Sequence, residues 1–97
     1  MSPVDWARPA RAIHCQIRGL QPWPCAIAEI DGRPCKLFRA EVGGETAAAP
    51  GTLLRADKRG IEIACGDGRS LRILELQGEG GKRMNAASYL NGHPIQL

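Results

Sequence analysis

A small, mainly β domain with short flanking helices is the fold class that the sequence predicts, on two observations. The central stretch, residues 50–77, alternates apolar residues such as Ile61 and Ile63 with polar or small ones, which is the period of half-buried strands. Glycine-containing turns at 57–60 and 66–68 divide this stretch into an antiparallel meander. About five or six antiparallel strands in so short a chain favour a small barrel, because closure removes exposed sheet edges.

An amphipathic helix is predicted before the first long strand, over residues 9–19. Ile13 and Ile17 lie four residues apart and therefore share one face of that helix. Asp5 is the candidate N-cap, and Gly19 is the residue expected to end the helix. The next segment holds Trp23 between two prolines, which excludes a helix there and makes the tryptophan a rigid anchor or lid for the core.

A β-hairpin is predicted around the first Asp-Gly pair, with strands over residues 25–30 and 33–42. A two-residue turn would pair Ala28 with Cys35 and place Cys25 on the opposite face of the sheet. A disulfide between these two cysteines is therefore disfavoured, because the side chains point apart.

The secondary structure of the remaining segments is predicted from their glycines, their small residues and one helix-capping residue. Residues 43–49 are expected to form a loop, and residues 70–77 the last long strand. The glycine-rich stretch 78–81 is expected to turn the chain. Asn85 is then expected to cap a short helix over 86–90.

Composition indicates one domain over residues 1–97, with an ordinary apolar fraction of 43% and a net charge of +3. The four cysteines lack the spacing of a metal site, so they are expected to be small buried residues. No apolar run could span a bilayer, and residues 1–10 lack the apolar stretch of a signal peptide. We therefore expect a cytoplasmic protein with no metal and no membrane partner.

Catalytic groups are scarce in this sequence. His14 lies beside the apolar face of the first helix, and His93 lies next to a proline near the end of the chain. The acidic residues Asp31, Asp57 and Asp67 all occupy turns, where their side chains favour the local backbone. No nucleophile, base and orienting group occur together, so we predict no active site in this chain.

Surface recognition remains, and the basic residues permit a polyanion as the partner without requiring one. With few aromatic residues, the domain would contact nucleic acid through its backbone and shape rather than by base stacking. Dispersed charge that only confers solubility is the alternative on composition alone. The clusters are Arg8/Arg11/Arg18, Arg33/Lys36/Arg39, Lys58/Arg59 and Lys82/Arg83, with Arg69 and Arg72 near the second turn.

Several short motifs together resemble one family. They are Val4-Asp5-Trp6, Arg8-Pro9-Ala10, Pro22-Trp23-Pro24, Ala49-Pro50-Gly51-Thr52, Ala64-Cys65-Gly66-Asp67-Gly68 and Gly81-Lys82-Arg83-Met84-Asn85-Ala86. Their combination over residues 4–92 resembles the C-terminal domain of methionyl-tRNA formyltransferase. The resemblance implies a small, open, OB-like antiparallel barrel with an N-terminal helix and a short C-terminal helix.

The same resemblance implies a non-catalytic, tRNA-binding accessory domain. The parent enzyme formylates initiator methionyl-tRNA with 10-formyltetrahydrofolate in translation initiation, and a separate catalytic domain, in cis or in trans, holds that cofactor. Lys82 and Arg83 match the family's basic pair and are the first candidates for tRNA contact. Lys36 and Lys58 match positions that are often basic.

Two other functions remain open at this stage. The domain could be a free-standing barrel that binds another protein. It could also be the accessory domain of a formyltransferase that acts on a sugar nucleotide or a carrier-bound substrate, because such enzymes keep a similar C-terminal domain.

Overall fold

The computed structural model describes residues 2–19, 26–78 and 80–95, and within them it contains seven strands and two helices. Their bounds are β1 (Ser2–Pro3), α1 (Ala10–Gly19), β2 (Ala26–Ile30), β3 (Arg33–Glu45), β4 (Leu53–Asp57), β5 (Gly60–Ala64), β6 (Arg69–Gly78), β7 (Met84–Asn85) and α2 (Ala86–Gly92). The predicted N-terminal helix, central meander and short C-terminal helix are therefore confirmed. The predictions for Trp23 and Cys25 lie outside the described residues.

The strands form one sheet in the order β1-β2-β3-β6-β5-β4, and β7 pairs with the far part of β6. All neighbouring strands are antiparallel except β1 and β2, which are parallel. The long strands β3 and β6 form the centre. β6 is longer than β5, which pairs only with its first half. β7 pairs with the second half along the same edge of β6.

The sheet is open, so the predicted open antiparallel class is confirmed and the expected closure into a barrel is wrong. The two edges, β1 and β4, are protected in another way. β1 has only two residues and β4 has five, and Val4 continues the pairing of β1 with β2 by donating its N–H to the carbonyl of Ile27 over 2.8 Å. Short edges of this kind offer little backbone for pairing with another chain.

The first hairpin has the predicted register. Ile30 pairs with Arg33 and Ala28 pairs with Cys35. Asp31 and Gly32 both have positive φ, at 53° and 77°, which is the geometry of a two-residue type I′ turn.

The expected loop at 43–49 is wrong for its first three residues, because β3 continues to Glu45. Glu45 pairs with Arg69 across the sheet, and Thr46 then donates its N–H to the Gly68 carbonyl over 2.8 Å. Gly43 lies so close to Ser70 that a Cβ atom would overlap the serine hydroxyl. Glycine marks a close approach of two strands here rather than a loop.

The two helices cover one face of the sheet and bury the core there. α1 buries Ala10, Ile13 and Ile17, and it packs on β3 and β6. α2 buries Ala86 and Tyr89. The opposite face of the sheet, called here the outer face, carries charged side chains in cross-strand register.

The residue expected to begin the helix is confirmed for α2 only, whereas α1 ends at Gly19 as expected. Asn85 caps α2 as expected, since its side-chain oxygen accepts the Ser88 N–H over 2.8 Å. The expected N-cap of α1 is wrong, because Asp5 instead accepts the Ala7 N–H in the turn before the helix. Asp67, from the β5–β6 turn, accepts the Ala10 N–H over 3.2 Å. A carboxylate distant in sequence therefore neutralises the start of α1.

Candidate nucleic-acid interface

The sheet topology brings all four predicted contact residues to the same end of the sheet. β3 begins beside the end of β6 because the two strands are antiparallel, and the β4–β5 turn lies at this end for the same reason. Lys36 is near the start of β3, Lys58 is in the β4–β5 turn, and Lys82 and Arg83 follow β6. We call these four residues the β6-end surface.

Lys82 extends from a turn that the end of β6 holds in place. The Gln77 side chain donates a hydrogen bond to the Gly81 carbonyl over 3.0 Å, and the Gly81 N–H donates to the Gly78 carbonyl over 3.1 Å. Lys82 itself is exposed, and it forms no ion pair within the described ranges. Its charge is therefore available to a ligand.

Lys36 lies next to this turn. It is the cross-strand partner of Gln77, whose side chain contacts Gly81, so Gln77 lies between Lys36 and the turn that carries Lys82. Lys36 is half-buried, as expected for a lysine whose stem lies along the sheet while its charge stays in water. The structure gives it no ion-pair partner in the part of the chain that it describes.

Arg83 differs from the lysines because the fold already uses it. Its Nε donates to the Glu75 carboxylate over 3.1 Å, and its guanidinium carbon lies 4.6 Å from the centroid of the Phe38 ring. Glu75 also faces Arg39 at 3.6 Å. The side chain of Arg83 is nevertheless 50% exposed, so its outer nitrogens remain available while Glu75 and Phe38 hold its plane.

Lys58 is exposed at the tip of the β4–β5 turn. The Asp57 carboxylate accepts the Arg59 N–H over 2.9 Å, which fixes the turn, and it lies 3.8 Å from Arg55. Lys58 therefore stands beside an acidic group, whereas no acidic side chain contacts Lys82 among the described residues.

Arg72 is a basic residue whose charge is paired within the fold and is therefore not available to a ligand. It donates to Glu62 over 3.1 Å and to Glu41 over 2.7 Å on the outer face, and the hydrogen bond to Glu62 raises the pKa of its guanidinium. Sequence reasoning assigned no role to this network. The signal was present only in the strand register, which places all three residues on neighbouring strands.

Buried ionisable groups lie under α2 rather than at this surface. The Tyr89 hydroxyl lies 3.4 Å from the Cys35 sulfur, and the Tyr89 ring stacks on His93 at 4.7 Å. Burial raises the pKa of both Tyr89 and Cys35, so both groups are neutral near pH 7. Neither is therefore an activated nucleophile.

The described residues offer no metal site of three or more clustered ligands. Among the same residues, no helix is both long enough and apolar enough to cross a membrane.

Comparison with known proteins matches residues 1–94 to the family described as formyl transferase, C-terminal domain. The chain is 52% identical over 94 residues to a methionyl-tRNA formyltransferase of Trichlorobacter lovleyi, which covers 97% of the chain and 29% of that relative. It is 43% identical over 94 residues to the methionyl-tRNA formyltransferase of Bacillus velezensis, covering 96% of the chain and 30% of that protein. The chain thus spans less than a third of these relatives, and their catalytic domain lies outside the match.

The fold also resembles solved structures. HypX from Aquifex aeolicus, in complex with tetrahydrofolic acid, superimposes with a TM-score of 0.77 over 91% of the chain and 16% of HypX. The sequence identity is 21%, so this likeness concerns the fold alone.

Proposed function

Since the chain belongs to the formyl transferase C-terminal domain family, we propose that it is the tRNA-binding accessory domain of a methionyl-tRNA formyltransferase. Two kinds of observation support the proposal. The relatives that share the domain are named methionyl-tRNA formyltransferases, which favours tRNA over a sugar nucleotide, a carrier-bound substrate or a protein partner. The β6-end surface then supplies exposed cations at one end of the sheet.

The exposed charge of Lys82 is the single observation that carries the contact site. Lys82 has no acidic partner among the described residues, and a lysine of this kind can neutralise a phosphate without first breaking an ion pair. Gly80 and Gly81 precede it and carry no side chains, so a phosphate could approach the turn closely. Lys36 lies across Gln77 from this turn and would bind a neighbouring phosphate.

Arg83 would bind with a defined orientation. Glu75 and Phe38 hold its guanidinium in place, so little side-chain entropy is lost when a phosphate binds to its outer nitrogens. Glu75 also competes with the phosphate, which weakens the contact. We therefore expect Arg83 to contribute less affinity than its charge alone would give.

The rest of the reaction would take place elsewhere. In this proposal a catalytic domain, in cis or in trans, holds 10-formyltetrahydrofolate and transfers the formyl group, while this domain positions initiator tRNA. The cofactor has no role at the β6-end surface. The proposed location is the cytoplasm, where initiator tRNA is charged and used.

The proposal is tested by fluorescence anisotropy with labelled initiator tRNA and two matched double variants. Lys82→Ala/Arg83→Ala should lower affinity about fivefold to tenfold at low salt, because two phosphate contacts are lost. Arg55→Ala/Arg72→Gln removes the same charge from two arginines that are paired with acids away from Arg83, and it should change affinity less than about twofold. Equal losses in the two variants would contradict a specific β6-end site.

A further inference from the structure

The solvent-facing side of α1 carries a second set of cations, distinct from the β6-end surface. Arg11 and Arg18 are exposed and lie seven residues apart, so they share one line along the helix, about 10 Å apart along its axis. α1 contains no acidic residue. This side of the helix faces away from the sheet, because Ala10, Ile13 and Ile17 are buried on the other side.

The β5–β6 turn adds further positive charge at the start of α1. Asp67 accepts the N–H groups of both Ala10 and Arg69, and the Gly66 N–H donates to the Arg8 carbonyl over 3.0 Å. These bonds tie the turn to the chain just before the helix. Arg69 and Arg11 consequently line one cleft, of about 580 Å³, together with Pro9, Val42, Gly43 and Asp67.

All four arginines of this region keep their charge unpaired within the described part of the chain. Arg8, Arg11, Arg18 and Arg69 are exposed and appear in no ion pair there. Arg39 and Arg72 on the outer face, by contrast, are paired with acids.

The three acidic residues near these arginines form no ion pair with them in the described part of the chain. Asp67 and Asp5 each accept backbone N–H groups, and Glu45 faces Arg69 across the strands without forming an ion pair. The four arginines outnumber these three acids. Two of the acids accept hydrogen bonds from the backbone, and Glu45 lies opposite the first residue of β6. The surplus is positive and is concentrated along the helix.

We propose that Arg8, Arg11, Arg18 and Arg69, called here the α1 surface, form a second binding surface for the phosphate backbone of RNA. The inference rests on the proposed function and extends it to the helix layer of the domain. Charge complementarity selects the partner, because a line of unpaired guanidinium groups on a rigid helix matches a row of phosphates. Two separate cationic surfaces would let one domain hold a folded RNA at more than one backbone segment.

The test compares the 97-residue chain with the double variant Arg11→Ala/Arg18→Ala, using labelled tRNA over about 50–200 mM salt. Alanine is a good helix former, so the variant should stay folded, which its thermal unfolding would check. We expect affinity at low salt to fall about tenfold and the slope of log affinity against log salt to fall by about 1.5. Arg55→Ala/Arg72→Gln, with the same change in charge at arginines that are paired with acids, should leave the slope nearly unchanged.

Cys15 provides an independent readout, because it is exposed between Arg11 and Arg18 on the same side of α1. The alkylation rate of the Cys15 thiol is obtained by subtracting the rate measured for Cys15→Ser from the rate measured for the chain without substitutions. Saturating tRNA should slow that rate several-fold. An unchanged rate in the presence of bound tRNA would contradict the α1 surface.

The outcomes separate this inference from the proposed function. If the chain binds tRNA and only Lys82→Ala/Arg83→Ala weakens it, the proposed function stands and the α1 surface is wrong. If the chain does not bind tRNA at low salt, both fail. If Arg11→Ala/Arg18→Ala weakens binding to poly-glutamate but not to tRNA, the surface recognises acidic protein segments, and the RNA inference is overturned.

Discussion

Gly66 lies where the segment before α1 crosses the β5–β6 turn, and its surroundings leave no space for a side chain. A Cβ atom at this position would overlap the carbonyl group of Ala7. The Gly66 N–H also donates to the Arg8 carbonyl. The glycine is therefore required by close backbone approach, and the crossing depends on it.

Gly66→Ala should lower the free energy of unfolding by about 2–3 kcal/mol, because the backbone must move to admit the methyl group. Gly44→Ala is the matched control, since a Cβ atom there has no heavy atom within 4 Å. Urea denaturation of both variants measures the difference. Equal stability of the two variants would contradict the described crossing.

Individual basic residues were only partly predictable at this scale. The sequence identified Lys82, Arg83, Lys36 and Lys58 by resemblance, but it could not distinguish exposed charge from paired charge. That distinction depends on the strand register, which brings Glu75 to Arg83 and leaves Lys82 without an acid among the described residues. Whether these residues bind RNA stays a prediction.

At the scale of elements, α1 is attached to the sheet by a residue far away in sequence. Asp67 is separated from Ala10 by 57 positions, yet its Oδ1 accepts both the Ala10 and the Arg69 N–H groups. Local patterns could predict a cap only among neighbouring residues, which is why the sequence favoured Asp5. The helix itself was predictable, because its apolar spacing is a local property.

Asp67→Ala should lower the free energy of unfolding by about 1 kcal/mol, because it leaves two backbone N–H groups without their acceptor. Asp67→Asn keeps an oxygen at this position and should lose less than half as much. Guanidinium denaturation of the pair provides the measurement. A similar loss in both variants would show that the negative charge, rather than the acceptor, stabilises the start of α1.

The element assignments also show where local rules fail. The Asp-Gly hairpin was predicted in its register because the turn type fixes the pairing. The extension of β3 to Glu45 was missed, because glycines in sequence suggest a loop whether they bend the chain or admit a close neighbour. Only the contact of Gly43 with Ser70 separates the two cases.

For the molecule as a whole, one two-layer core holds several neutral ionisable groups. Burial and then the Asp67 carboxylate raise the pKa of Cys65 to about 11, from an ordinary value of 9.0. A group whose pKa is higher in the folded state stabilises the protein below its unfolded pKa, and that stabilisation is lost as the pH rises. Burial raises the pKa of Cys35 and of Tyr89 in the same direction.

The free energy of unfolding should therefore decline between about pH 9 and pH 11. Cys65→Ala should make the decline shallower, whatever its effect on stability at pH 7. Gly44→Ala, which removes no ionisable group and has no heavy atom within 4 Å of the added Cβ, should leave the slope unchanged. Urea denaturation across this pH range checks both, and an unaltered slope in Cys65→Ala would contradict the assigned role of the thiol.

Closure was the one property of the whole molecule that the sequence mispredicted. Strand number and turn spacing favoured a barrel, but they do not specify which strands become edges. Its two edge strands, β1 and β4, are instead short, with two and five residues. Such long-range arrangements depend on packing that no local pattern encodes.

Recognition of tRNA by the isolated chain is the central claim, and its binding of labelled initiator tRNA at about 50 and 200 mM salt tests it most directly. An unrelated hairpin RNA is the control. We predict weak binding that favours the tRNA and loses affinity steeply with salt, because exposed cations replace the counterions of phosphates. Absence of binding at the lower salt concentration, or equal binding of the hairpin, would contradict a tRNA-recognition domain.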